Sequence, residues 1–304
     1  MKAVTYEKYG GPEVLNITEV QKPIPKSNEV LIKIHATSVT QGDWRLRKPM
    51  PFMARLYNGL LKPKRINILG FELAGTIETV GHGVNKYKVG DEIFAFSGFG
   101  FGAYAEYRCL PVDGNYKTGL MAKKPVNMTF EEAAVVPGGC LTAHSHIKKV
   151  ELTTSSKVLV YGASGSVGTY FVQLAKNSGA HVTAVCGTSN VEMVTNLGAD
   201  KVIDYNKVDF REENETYDLI FDAVNKAKAS TCKSSLTTEG VFIKVTSKTH
   251  IADDDLDKIL KMIEAGNIKA VIDRTYSCYD IVKAHQYVEA GHKKGNVSVL
   301  MDLK

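Results

Sequence analysis

No apolar run in this sequence reaches the ~18 residues that a membrane-crossing helix needs. The N-terminus, Met1-Lys2-Ala3-Val4-Thr5-Tyr6, starts like a strand and lacks the apolar core of a signal peptide. Both absences predict a cytoplasmic chain with no transmembrane segment. Cysteine is sparse: Cys109, Cys140, Cys186, Cys232 and Cys278 stand singly, without a C-x-x-C pair. That pattern speaks against a disulfide frame or a zinc knuckle and fits free thiols in a reducing compartment. Internal repeats and low-complexity segments are missing too. A net charge of +5 is mild and implies no specific nucleic-acid partner. What remains is ordinary for a soluble globular protein, with 44% hydrophobic and 23% charged residues. The 304 residues are enough for two domains with substantial cores.

The chain is organised around Val158-Leu159-Val160-Tyr161-Gly162-Ala163-Ser164-Gly165-Ser166-Val167-Gly168. A short apolar run reads as a buried parallel strand, small residues break it, and helical apolar spacing follows at Val167, Phe171, Val172, Leu174 and Ala175. Strand, glycine turn and helix bring backbone N–H groups and a helix N-terminus up to a pyrophosphate. In this A-x-G-x-x-G match Gly165 lets the backbone approach phosphates, and Gly168 lets the helix pack close to the sheet. A tight turn without a ligand is the alternative.

Residues 1–120 alternate short β-type runs with turns; Val30–Ala36, Gly75–Val80 and Glu92–Phe96 are the clearest strands. After the glycine turn, His181–Cys186, Tyr217–Val224 and Gly240–Val245 read as strands two, four and five of a doubly wound sheet. Thr129 is a plausible helix N-cap with acids in the first turn after it. Asp255–Ala265 and Asp280–Ala290 have helical spacing, and Ile268–Tyr276 and Val297–Met301 read as strands. The fold class expected is α/β.

The order of landmarks resembles the medium-chain dehydrogenase/reductase superfamily. They are Glu29–Ile34 followed by Ser38-Val39-Thr40-Gln41-Gly42-Asp43; Gly70-Phe71-Glu72-Leu73-Ala74-Gly75; Val89-Gly90-Asp91-Glu92; Gly102–Tyr107; and Ala133-Ala134 through Thr142-Ala143. The resemblance covers most of the chain. It implies a GroES-like β-domain over 1–122, a Rossmann dinucleotide-binding domain over 123–266, and a C-terminal return to the first domain over 267–304.

Zinc alcohol dehydrogenases of that superfamily bind catalytic zinc through a cysteine, a histidine in Gly-His-Glu, and a further cysteine or acid. The matching places here hold Val39–Asp43 without cysteine and Gly70-Phe71-Glu72 without histidine. Phe71 cannot ligate a metal, and zinc takes N, S or carboxylate ligands in a near-tetrahedral set. His144 and His146, at the start of an inter-domain helix, read as a packed or solvated pair. The expectation is no metal. The zinc-free pattern resembles the quinone oxidoreductase branch, whose members pass hydride from NADPH to a quinone or an activated alkene. There the protein fixes geometry and stabilises a developing oxygen charge.

By that resemblance Thr40 stands where an asparagine usually faces the nicotinamide, and Tyr57 is a phenol that could position or protonate the product; Tyr57 could equally belong to an apolar face. Asp43 matches the family's acid, with loop-fixing as its plain role. Thr142 falls beside the nicotinamide-side phosphate or caps a helix. Cofactor contacts are expected from Ser164, Gly165, Ser166, Val167 and Gly168 in the turn. Thr188, Ser189 and Asn190 follow strand two. Tyr205 flanks the adenosine phosphate, Val245 lies at the nicotinamide, and Lys293 offers charge near the C-terminus. An NAD-preferring site would carry Asp or Glu about 20 residues beyond the motif. Cys186-Gly187-Thr188-Ser189-Asn190 has none, which favours NADPH. The segment after Val245 is shorter than in relatives, which bears on both the homodimer and the substrate pocket.

Between Arg45 and Arg65 the chain carries seven cations and no acid. A basic, apolar lid suited to an anionic substrate or a membrane surface is one reading, and a solvated loop with snorkelling side chains is the other. The function expected is a zinc-independent NADPH-dependent reductase of quinones or α,β-unsaturated carbonyls. Its rival is a non-catalytic NADPH-binding redox sensor, crystallin-like protein or nucleic-acid binder.

Overall fold

The computed structural model describes residues 1–303. Chain contacts divide it into two units: 1–138, 252–260 and from 272 on in the first, 139–251 and 261–271 in the second. The division places residues 123–138 with the β-rich unit and returns 261–271 to the parallel sheet.

Antiparallel pairing builds the first unit. Strands β1 (Lys2–Thr5) and β2 (Asn16–Glu19) form a two-stranded sheet. A seven-stranded sheet is centred on β3 (Glu29–Ser38), whose alternating Val30, Ile32 and Ile34 are buried. It pairs with β4 (Glu72–Val80), with β6 (Tyr107–Pro111) and with β14 (Asn296–Leu300). The sheet continues through β5 (Glu92–Phe96) to β7 (Leu120–Lys123), and β13 (Ile272–Ser277) lies beyond β14. Around it sit α1 (Gln41–Arg47), α2 (Ala54–Asn58), α3 (Phe130–Ala134) and the C-terminal helix Ile281–Glu289. Thr129 caps α3 in a reciprocal capping box with Glu132, as its sequence position predicts. This is the GroES-like architecture expected.

The second unit is a five-stranded parallel sheet in the order β10 (Lys201–Asp204), β9 (His181–Cys186), β8 (Lys157–Tyr161), β11 (Tyr217–Asp222), β12 (Leu236–Lys244). Val158, Leu159 and Val160 are fully buried because helices cover both faces of such a sheet. Those helices include α4 (Pro137–Ile147) and α5 (Ser166–Asn177). Phe171 of α5 stacks on Phe221 of β11 at 3.9 Å between ring centroids. The strand order reverses at β8, the crevice where such sheets bind ligands. The fold is α/β with a Rossmann-type sheet, as expected from the alternation of elements.

Three details differ from the sequence reading. Strand five begins at Leu236 instead of Gly240, because its pairing with Tyr217 continues across a register shift near Gly240. An added Cβ there would lie 2.7 Å from the Tyr217 carbonyl oxygen. The strand entered at Ile268 begins at Ile272. His144 and His146 lie in the last turn of α4 rather than its first. Among the described residues β12 is the edge of its sheet, with no sixth strand beside it.

Candidate cofactor and substrate sites

At the end of β8 the chain turns through Gly162, whose φ of +81° is the left-handed conformation that glycine adopts freely. The amides of Gly162 and Ala163 donate to the Val185 carbonyl of β9 at 3.0 and 3.1 Å. The strained position is thus one residue ahead of the Ala163 slot that the motif suggests. Helix α5 follows Gly165 with no side-chain cap, leaving its first-turn amides without side-chain acceptors from the cap residue. An added Cβ on Gly165 would meet only the Gly162 oxygen, at 3.5 Å. On Gly168 it would lie 2.2 Å from that same oxygen. Gly165 leaves approach space; Gly168 is a packing residue.

Asn190, just before α6 (Val191–Asn196), donates its amide to the Ser164 hydroxyl at 3.1 Å. Its Oδ1 is buried and has no partner among the described residues. An unpartnered acceptor beside a glycine turn and a helix N-terminus suits a ligand hydroxyl such as a ribose. Thr188 donates to the Asp204 carboxylate at 2.7 Å, and the Asn206 amide donates to Thr188 at 3.3 Å. The end of β9 has no acid of its own, but Asp204 from β10 stands against it. Ser189 sits exposed between them.

A cavity of about 400 Å³ opens between Tyr161 at the end of β8 and Lys226 to Lys228 after β11. Tyr161 and Phe210 wall it with rings 5.8 Å apart, and the exposed Tyr205 stands at its margin. Arg211 is tied to Asp209 at 2.8 Å, whereas Lys226 and Lys228 are exposed and carry no ion pair among the described residues. Tyrosines, an open glycine turn and two free ammonium groups fit the adenosine end of a nicotinamide dinucleotide. Sequence reading missed both lysines. The signal was their place just after β11, at the carboxyl edge of the sheet.

Two further expected contacts belong to the same unit. Thr142 is half-buried in α4, one turn beyond Gly139, where an added Cβ would lie 2.9 Å from the Ser166 hydroxyl. Val245 follows β12; its amide donates to Asp222, and its carbonyl faces His146 Nε2 at 3.2 Å. Burial, then nearby Lys149, holds the His146 imidazole below its usual pKa.

In the first unit Thr40 is the N-cap of α1. Its amide and hydroxyl donate to the Asp43 carboxylate at 2.8 and 2.6 Å, and the Gly70 amide donates to the other Asp43 oxygen at 2.8 Å. Asp43 is fully buried, which lifts its carboxyl to about 6 despite those bonds. Glu72 accepts from the Ser38 hydroxyl and the Gly138 amide, and burial lifts it to about 7. The Lys293 ammonium donates to the Gly295 carbonyl, with Glu72 and Asp273 as its charged neighbours; burial pulls it down to about 8. Tyr104 donates to the Ser38 carbonyl at 3.2 Å and bonds His285, which burial holds neutral. Loop-fixing is what Asp43 does here. Lys293 lies in this first unit, among these groups.

Tyr57 lies on α2 and donates to the Phe99 carbonyl at 2.8 Å. It forms part of a groove of about 350 Å³ walled by Phe71, Phe99, Phe101, Met50 and Ala54, with Arg45 in its lining and Arg65 over the Tyr57 ring at 4.4 Å. Phe71 packs on Phe101 at 3.9 Å, and Gly42 makes room for the ring, since an added Cβ there would lie 2.1 Å from it. The groove suits a neutral apolar molecule. Thr40 is not among its walls. Among the described residues no three His, Cys, Asp or Glu side chains converge as a metal set.

Comparison with known proteins gives the following likenesses. The family described as "Alcohol dehydrogenase GroES-like domain" matches residues 26–119. Two families described as "Zinc-binding dehydrogenase" match 166–261 and 244–299. The chain is 31% identical over 336 residues to a chloroplast envelope quinone oxidoreductase homolog of Arabidopsis thaliana, covering 98% of each. It is 30% identical to an NADPH-dependent alkenal/one oxidoreductase of the same plant, covering 98% of this chain and 79% of the relative. The solved quinone oxidoreductase of Coxiella burnetii superposes with a TM-score of 0.83 at 25% identity, with 98% of each chain covered.

Proposed function

Since the chain belongs to the quinone oxidoreductase-like branch of the medium-chain dehydrogenase/reductase superfamily, a family of nicotinamide-dependent oxidoreductases, we propose that it is a zinc-independent NADPH-dependent reductase of quinones or α,β-unsaturated carbonyls. The observation that carries this reading is the aromatic groove built on Phe71, the residue standing where a zinc enzyme has its histidine. A neutral, planar acceptor matches those walls, and such acceptors need less polarisation than an unactivated ketone.

We assign the cofactor to 139–251, with the glycine turn, Asn190, Tyr205 and the two lysines as its holders, and the acceptor to the first unit. When bound, the nicotinamide supplies hydride. The chain supplies orientation and apolar surroundings. Thr40 spends its proton on Asp43 and Tyr57 spends its own on Phe99, so both act by shaping the site, and solvent provides the product's proton. The free Lys226 and Lys228 support NADPH; Asp204 beside Thr188 supports NADH as the second reading. Five free cysteines suit a reducing compartment such as the cytoplasm.

Oxidation of NADPH measured against a panel of quinones, enals and enones tests the activity. Turnover of at least one class by metal-free protein is expected. Tight NADPH binding without turnover of any acceptor would turn the reading to a non-catalytic binding protein.

A further inference from the structure

We propose that residues 45–65 dock this protein on an anionic lipid surface, which goes beyond the reductase reading and does not depend on it. Phe52, Met53, Leu56, Leu60 and Leu61 fall within ten residues, and their exposure runs from 55% at Leu60 to 86% at Leu61. Soluble monomers leave single apolar side chains open but seldom a cluster of this density. The short helix α2 and the loop after it are fixed from beneath: Asn58 is buried, accepts from the Ile66 amide at 2.7 Å and donates to the Tyr6 hydroxyl at 2.8 Å. The apolar side chains are therefore presented by an ordered segment.

Charge selects the occupant. Arg45, Arg55, Lys62, Lys64 and Arg65 surround the cluster, and none has an acid partner among the described residues. Two other cations of the segment, Arg47 and Lys48, share the single carboxylate of Glu289. A second copy of this chain would bring the same positive face against itself in a two-fold contact, which like charges oppose. An apolar centre with a basic border is the composition that enters the headgroup region of an anionic bilayer. The aromatic groove is continuous with this face through Met50, Ala54 and Tyr57. An apolar acceptor dissolved in the lipid would thus have a short path into it.

Co-sedimentation with vesicles of phosphatidylcholine, with and without phosphatidylglycerol, tests the docking on the intact chain. Binding to the anionic vesicles that falls with added salt is expected. The double variants Phe52→Ser/Leu61→Ser and Lys62→Glu/Lys64→Glu should each weaken it by about tenfold or more. All four side chains are exposed and outside the groove, and circular dichroism checks that the variants stay folded. Absence of binding, or binding that survives charge reversal, would overturn the proposal. So would a light-scattering mass that drops from dimer to monomer in Phe52→Ser/Leu61→Ser, which would make the face a contact between copies. Vesicle binding is read without turnover, so it stands or falls apart from the reductase reading.

Discussion

Asp43 takes both the amide and the hydroxyl of Thr40, at 2.8 and 2.6 Å, from a position wholly shielded from water. Replacing Asp43 by Ala removes the reciprocal half of the α1 capping box and leaves the Thr40 and Gly70 amides without their carboxylate acceptor. The cost should be about 3 kcal/mol in a urea unfolding curve. Thr40→Ala should cost about 1 kcal/mol and leave NADPH-dependent turnover within a few-fold of the parent.

The same burial gives stability an unusual pH dependence. Asp43 and Glu72 bind their protons more tightly folded than unfolded, at about 6 and about 7. Their contribution is fully present below the ordinary carboxylate range and is lost as pH rises through those values. Unfolding free energy should therefore fall by a few kcal/mol between about pH 4 and pH 7. Lys293, held near 8, exerts its penalty as pH drops from the ordinary lysine range to that value and adds no slope below it. Asp43→Asn and Glu72→Gln should each flatten the curve. An unchanged slope in both variants would mean that the two carboxyls are ionised throughout.

Gly165 and Gly168 should part company on substitution. Gly165→Ala places its methyl at ordinary contact distance from the Gly162 oxygen, 3.5 Å, so the melting temperature should stay close to the parent value. Dinucleotide affinity, read by fluorescence titration, should fall about tenfold, roughly 1.4 kcal/mol, because the methyl stands in the phosphates' approach. Gly168→Ala drives a methyl onto the Gly162 carbonyl and should destabilise the fold by about 2 kcal/mol or more.

How much of this was legible in sequence follows from range. The limits of β9 and the N-cap at Thr129 are legible in sequence because both depend on neighbours within a few residues; the reciprocal bond from Glu132 comes from the structure. The meeting of Ser38, Glu72 and Gly138 spans 34 and 66 residues of separation, and no local pattern encodes it. Asp204 was invisible as a neighbour of Thr188 for the same reason: parallel pairing of β9 with β10 sets Asp204 opposite Cys186. From sequence His144 and His146 read as lying at the start of an inter-domain helix. The helix instead begins at Pro137, as proline at a first turn allows.

The proposed preference for NADPH rests on the charges of Lys226, Lys228 and Asp204. Lys226→Ala and Lys228→Ala should each weaken NADPH binding about fivefold, near 1 kcal/mol, and leave NADH affinity within about twofold. Asp204→Asn should tighten NADPH, since a fixed negative charge near the Thr188 hydroxyl opposes a 2′-phosphate. Equal affinities of the parent for both cofactors would remove the case for phosphate selection, whatever the lysine variants show.

Acceptor handling separates a proton donor from a wall. The Tyr57 hydroxyl is given to the Phe99 carbonyl, so Tyr57→Phe removes that bond and keeps the ring against the groove. If solvent protonates the product, kcat/KM for an enone should drop no more than about threefold, with the pH profile unmoved. A loss near a hundredfold with a shifted profile would instead make the phenol the general acid. Phe71→Ala acts on the groove itself. Removing the ring that packs on Phe101 at 3.9 Å should raise KM for flat aromatic quinones several-fold and change kcat much less, because the lost contact is made equally in ground and transition states. A fall confined to kcat would place Phe71 in the reacting geometry and not in acceptor binding.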